Sequence, residues 1–272
     1  DVPGYEDIFE YLHENKENET TGALVMVDSA GQVVYDGGID TFKGRGNTSF
    51  VAPGIVPDKK SYNIKLSKKT ELIDGAGKMK KWSLLHMRVS TDYHYDWTGM
   101  CSRLGFQTYN QLVGEGYFDM RAEYVDVYIN DEYRGTYILT ERMDVNAAVD
   151  ISQQDDNVTS SSSARTTVRS SSDEAIKAGV QHYIYTTDAA PIPDSEYDPT
   201  GGYLMEVDFG TIEECGFLTK HGMYVNLKAP EVCTKEQVQY IAKYVQEFEN
   251  ALMSQTGYNS SGKHYTEYID AN

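Results

Sequence analysis

The 272 residues carry 24 Lys and Arg against 42 Asp and Glu, a formal net charge of −18. Such acidity excludes general binding to nucleic acid or to an anionic membrane, because like charge repels at long range. No apolar run reaches the length of about 18 residues that a spanning helix needs, and 40% hydrophobic residues with 22 tyrosines exclude a disordered chain and allow one large core or two small ones.

Ile8, Tyr11 and Leu12 have the spacing of one helix face, and short strands are expected at 23–27 and 32–35 around a Ser29-Ala30-Gly31 turn. A glycine-spaced basic stretch follows, Lys43-Gly44-Arg45-Gly46-Asn47-Thr48-Ser49, and then Lys59-Lys60-Ser61-Tyr62-Asn63-Ile64-Lys65-Leu66. Glycines let backbone N–H groups approach an anion, and Arg and Lys add charge-assisted bonds, so the stretch has the chemistry of a phosphate grip. A solvated basic turn fits the same spacing, and neither a Walker pattern nor a GxGxxG opening a helix is present. Period-two alternation puts Tyr62, Ile64 and Leu66 on one face and Asn63 and Lys65 on the other, with Lys65 directed away from the core.

A strand is expected at 82–85 and a helix at 97–104, closed by Gly105 as its C-cap. Asp92, His94 and Asp96 could suggest a metal site, but carboxylates ahead of a helix are read as partners of its dipole, and no metal site is assigned. The clearest hairpin joins 124–129 to 133–139 through Asn130-Asp131-Glu132. Residues 152–173 are Ser-rich and poor in apolar side chains, a flexible insertion whose serines could also accept phosphate. A strand at 201–208 sets Glu206 and Asp208 on one face. The last element opens with a Thr234–Gln237 capping box and continues as a helix through Val238, Ile241, Val245, Phe248 and Leu252. Cys101, Cys215 and Cys233 show no CxxC spacing; a Cys215–Cys233 bridge in a secreted protein and three inert thiols both remain open.

The ordered set Lys43-Gly-Arg-Gly-Asn47, Lys59-Lys-Ser-Tyr-Asn-Ile-Lys65, Trp82-Ser-Leu-Leu85, Tyr124 to Asn130, Gly135-Thr-Tyr-Ile-Leu-Thr-Glu141 and Gly201-Gly-Tyr-Leu-Met-Glu206 resembles the CotH family from about Thr41 onward. These are spore-coat-type atypical protein kinases, also found as secreted or surface proteins, some of them attached to cellulosomes. The resemblance implies an α+β, divergent protein-kinase-like fold: an antiparallel β-rich first lobe with helices following, in one domain over 1–272 with the insertion at 152–173. It implies ATP with Mg2+ or Mn2+ as cofactors, Ser or Thr of partner proteins as substrate, and an extracellular or cell-surface place among surface or cellulosomal proteins. It places Arg45 and Lys60 against nucleotide phosphates, Glu141 as the acidic group that orients such a lysine or binds near the nucleotide, and Lys59 and Lys65 as alternates for the lysine.

Two departures qualify it. The family's Leu-Leu/Met-Arg-Asn pattern is replaced here by Ser90-Thr-Asp-Tyr-His-Tyr-Asp-Trp97. Tyr265-Thr-Glu-Tyr-Ile-Asp270 resembles the approach to the second lobe, and the aspartates that would follow to bind metal and catalyse transfer are not reached by Asn272, so the chain as given is expected to be truncated there and inactive. An alternative is a noncatalytic protein- or carbohydrate-binding module with tyrosine stacking platforms. A third is a glycosidase-like use of Glu206 and Asp208, which ranks last because such carboxylates oppose one another across a cleft.

Overall fold

The computed structural model describes residues 4–5, 7–46, 50, 59–86, 99–113, 120–142, 145, 158–159, 167–170, 182–186, 190–191, 198–208, 215–230 and 233–269. They fall into two compact units, Asp1–Met143 and Asp144–Asn272, in a mixed α+β chain built mainly from antiparallel strands. Among the described residues no helix is long and apolar enough to cross a membrane.

The first unit begins with helix α1 (Ile8–Glu14), whose N-cap Asp7 accepts a hydrogen bond from Phe9 N at 3.0 Å. Strands β1 (Glu19–Val27), β2 (Val33–Arg45), β3 (Ser61–Thr70) and β4 (Met79–His86) form a meander. Helix α2 (Met100–Val113) then leads to the hairpin of β5 (Ala122–Ile129) and β6 (Glu132–Glu141). The sheet order is β1-β2-β3-β4-β6-β5, so the hairpin's second strand docks on β4 and its first becomes an edge. Register shifts interrupt the β1/β2, β2/β3, β3/β4 and β5/β6 ladders. Each such irregularity adds local twist, and together they curl the sheet.

The concave side holds the core. Phe9 and Leu12 of α1 pack there with Phe42, Tyr62, Ile64, Leu66, Trp82, Leu84, Tyr137 and Leu139. His13 Nε2 and the Tyr62 hydroxyl lie 2.8 Å apart, tying the helix to the sheet. Burying each large apolar side chain of this set contributes about 1.5–3 kcal/mol, which a helix of two turns could not supply from propensity alone.

The second unit has a five-stranded sheet, β11-β13-β12-β9-β8, made from β8 (Thr167–Ser170), β9 (His182–Thr186), β11 (Leu204–Asp208), β12 (Gly216–Leu218) and β13 (Tyr224–Ala229). A separate pair joins β7 (Val158–Thr159) to β10 (Ala190–Pro191). Helix α3 (Lys235–Leu252) covers this sheet, with Val238, Ile241, Ala242 and Val245 against Phe217, Val225 and Leu227. Its capping box is formed: Gln237 N donates to Thr234 Oγ1 at 3.2 Å, and Thr234 N donates to Gln237 Oε1 at 2.8 Å. Below it Glu249 gathers Thr219 Oγ1 at 2.5 Å, Gln246 Nε2 at 2.7 Å and His221 N at 3.3 Å.

Several local expectations need correction. The stretch Lys43-Gly44-Arg45 is the end of a long strand and not a loop: ladder pairing to β1 and β3 extends the strand expected at 32–35 through Gly37, Gly38 and Gly44 to Arg45. Gly105 lies inside α2, which runs on to Val113; a helix tolerates an internal glycine at a cost of about 1 kcal/mol. The hairpin turn is only Asn130-Asp131, both at positive φ (50° and 65°), and Glu132 already belongs to β6. Leu252 is exposed, because the buried stripe of α3 passes through Glu249 and Ala251 at that end. Within the Ser-rich stretch, Val158–Thr159 and Thr167–Ser170 pair as strands, while its remaining residues, like Asp92, His94 and Asp96, lie outside the described set. All three cysteines are free thiols, with Cys215 and Cys233 buried.

Candidate functional site

The two faces of the first sheet differ in chemistry, the second being polar except where Leu85 and Ile138 pair. Directly opposed residues of an antiparallel ladder share a face, so the row Phe42, Ile64, Trp82, Glu141 belongs to the core side. The adjacent row, Lys43, Asn63, Ser83, Thr140, Ala122, belongs to the other. Beside it on this polar face stand Ser61 opposite Arg45, and Lys65 opposite Lys81. The row is tied together by short bonds: Ser83 Oγ donates to Asn63 Oδ1 at 2.9 Å, Thr140 Oγ1 to Arg121 O at 2.8 Å, and His86 N to Ser61 Oγ at 3.1 Å.

Arg45 ends β2 on this face, and Arg142, the residue after β6, follows the same alternation as Thr140. Their charges sense each other. Loss of surrounding water, and then the positive field of Arg142, pull Arg45 below the ordinary arginine range, although its side chain reaches the surface. A guanidinium remains protonated through such a shift, so the two forks persist as a pair of like charges. Among the described residues neither makes an ion pair with a carboxylate. Lys43, by contrast, is engaged with Glu17 at 2.9 Å. Two guanidiniums on one sheet face, flanking a row of hydroxyl and amide groups, suit an anion with several oxygens.

The remaining sequence candidates are placed differently. Lys60 Nζ donates to Phe50 O at 2.5 Å and sits 5.2 Å from that ring's centre. Phe50 in turn lies on Gly44, where a Cβ would come within 2.2 Å of Phe50 Cε2. Gly44 therefore serves the close approach of an aromatic ring. Lys59 Nζ donates to Thr136 O at 2.8 Å and lies 4.6 Å from the Tyr137 ring centre. Burial pulls this ammonium below the ordinary lysine range, against the opposing pull of Asp126. Lys65 is exposed on the polar face. Glu141 is buried on the core side opposite Trp82, and among the described residues no ion pair joins it to Lys59, Lys60 or Lys65. The structure thus brings Arg45 and Lys65 to one face, and sets Lys59, Lys60 and Glu141 apart from them.

Arg142 and Lys81 were not singled out from sequence. The signal was there in register: each lies one residue outside a core-facing position, Glu141 and Trp82, and so falls on the polar face. In the second unit Glu206 pairs with Lys228 at 3.2 Å, and Asp208 accepts from Asn226 Nδ2 at 3.3 Å, leaving both carboxylates in strand-to-strand contacts and not opposed across a cleft. Among the described residues no group of three His, Cys, Asp or Glu side chains is placed to hold a metal ion.

The family model described as CotH kinase protein matches residues 45–272, which begins at Arg45 and takes in β3 to the end of the chain. No curated protein and no solved structure matches it.

Proposed function

The chain belongs to the CotH kinase family, and on that premise we propose that it forms part of an atypical protein kinase that phosphorylates Ser or Thr of partner proteins with ATP and Mg2+ or Mn2+. The observation that supports this is that Arg45 and Arg142 both lie on the polar face of the first sheet, near enough for the field of one to act on the other. In this reading the first unit is the β-rich lobe of a kinase-like fold. Its two guanidinium forks hold phosphate oxygens, Lys65 and Lys81 add positive charge along the same face, and Asn63 and Ser83 fix the floor. Lys60, through Phe50, and Lys59, through Thr136, brace the ends of the sheet and do not touch phosphate. Bound ATP supplies the phosphoryl group. Among the described residues no group of three His, Cys, Asp or Glu side chains is placed for a divalent cation, and the roles given to this chain's residues concern the phosphates alone. The same family reading places the protein outside the cell or on its surface, among surface or cellulosomal partners.

One observation favours a second reading, a noncatalytic binding module. Tyr128 and Tyr133 stand exposed at the hairpin tip with ring centres 5.0 Å apart, an arrangement that can stack against a sugar or a peptide.

Calorimetry separates the two. ATP, with and without Mg2+ or Mn2+, is expected to bind the chain, and Arg45→Ala and Arg142→Ala are each expected to weaken binding about 10–100-fold, the loss of one charge-assisted contact. Lys43→Ala should leave the affinity in place, since that ammonium is held by Glu17. Wild-type binding that neither arginine substitution weakens removes the phosphate assignment; no ATP binding, with affinity for oligosaccharides lost in Tyr128→Ala, supports the module.

A further inference from the structure

The curled sheet encloses a cavity of about 460 Å3 on its concave side, away from the arginine pair. Its floor is Phe42, Ile64 and Leu84, and one wall is the Ile8, Phe9 and Leu12 face of α1. The other walls are unusual. Residues 20–24 of β1 line it consecutively, and so do residues 127–130 at the end of β5. Side chains of a strand alternate between faces, so a consecutive run can border a cavity only where the main-chain edge itself looks into it. Among the described residues β1 and β5 are the two edges of this sheet, β1 pairing only with β2 and β5 only with β6. A register shift at Thr20/Gly22 further twists β1 at the point where it meets the cavity.

A cavity with an apolar floor between two main-chain edges matches one kind of occupant. That occupant must present backbone donors and acceptors sideways and apolar side chains downward at every second residue, as an extended peptide does. The size agrees: a strand residue fills about 160 Å3 (a rise of 3.4 Å, a strand spacing of 4.8 Å and a layer of 10 Å), so the space takes about three residues. Charge narrows the choice. Asp7 is the one charged side chain among the described lining residues, Glu19 and Asp131 adjoin the ends of the two edge segments, the nearby cations Lys43 and Arg134 are each paired with a carboxylate, of Glu17 and Glu132, and the chain carries −18 overall. An acidic mouth favours a segment flanked by Lys or Arg and disfavours an acidic one.

We propose that the cavity between β1 and β5 is a docking site for an extended segment of another polypeptide, apolar at alternate positions and flanked by basic residues. The site is independent of whether the polar face binds nucleotide.

Hydrogen–deuterium exchange of the whole chain tests it, with synthetic capped peptides that share a Val-Thr-Val-Thr-Val core. The Arg-flanked peptide is expected to slow amide exchange in residues 20–24 and 127–130 and to leave α3 unchanged. Glu flanks, or N-methylation of the threonines, are expected to weaken binding about 10-fold or more, the former by repulsion and the latter by removing main-chain donors. Leu24→Arg and Ile129→Arg, each placing charge beside the floor, should abolish the protection, and unchanged exchange of β3 in either variant certifies its fold. The proposal is overturned if saturating Arg-flanked peptide slows neither segment, or if the N-methylated peptide protects equally well. Equal protection by the neutral apolar dye N-phenyl-1-naphthylamine also overturns it, making the cavity a small-molecule site.

Discussion

Replacing Gly44 by Ala probes how the basic strand is built. A Cβ at this position would lie 2.2 Å from Phe50 Cε2 and 2.9 Å from Cδ2 and Cζ, where carbon atoms at rest keep about 3.5–4.0 Å. The ring cannot simply swing out. Phe50 is only 3% exposed, and its carbonyl receives Lys60 Nζ, so displacement strains both the packing and that bond. Overpacking of this kind costs about 1–3 kcal/mol, and the lower unfolded-state entropy of Ala returns about 0.4–1 kcal/mol. The net expectation is a loss of about 1.5 kcal/mol, a fall in Tm of about 3–6 °C for a unit of this size. The assay is thermal and urea unfolding of wild type, Gly44→Ala, Phe50→Ala and the double variant, followed by calorimetry with ATP. Phe50→Ala alone should be destabilising by about 3–4 kcal/mol, and in its background the Gly44 substitution should become neutral or slightly stabilising. Equal penalties in both backgrounds would refute the reasoning. A loss of ATP affinity in both, without a loss of stability, would return Gly44 to the role of admitting an anion.

Two further outcomes follow from the cores of the two units. Burial pushes the Tyr137 phenol up to about 12 from 10.0, against a smaller opposing effect of Arg134; its stabilising contribution is therefore complete below pH 10 and lost as pH rises through about 12. Tyr137→Phe should flatten this alkaline decline in unfolding experiments, and an unchanged profile would place the decline on other tyrosines. In the second unit Glu249→Ala removes the acceptor for Thr219, Gln246 and His221 N together. It should lower unfolding stability by about 3 kcal/mol, against about 1 kcal/mol for Thr219→Val; equal small losses would show that water replaces the carboxylate readily.

What could be read from sequence depended on how local the cause was. The Thr234–Gln237 cap and the helix behind it were legible because both ends of the hydrogen-bond pair lie within one turn. The β5–β6 hairpin was legible because a short polar turn sits between two alternating runs. Strand β2 was not, since its glycines resemble punctuation and only pairing partners from β1 and β3 reveal a strand of 13 residues. The site divided along the same line. Arg45 stood out by its glycine neighbours, although the neighbouring Gly44 accommodates Phe50. Arg142 has no motif around it, and its place on the same sheet face as Arg45 follows from a sheet order that no short window contains.

The order β1-β2-β3-β4-β6-β5 also has a kinetic meaning. The first four strands pair with their chain neighbours, so each loop that must close is short and the meander can assemble early. The β4–β6 ladder instead joins Trp82 to Glu141 across α2 and the whole of β5, the most distant pairing in this sheet. Arg142, adjoining the end of that ladder, joins the face of Arg45 only once it has zipped. The hairpin's arrival is thus expected to be the slow step of the unit, and the two mutually repelling guanidiniums come to share one face last, when most of the apolar core is already in place.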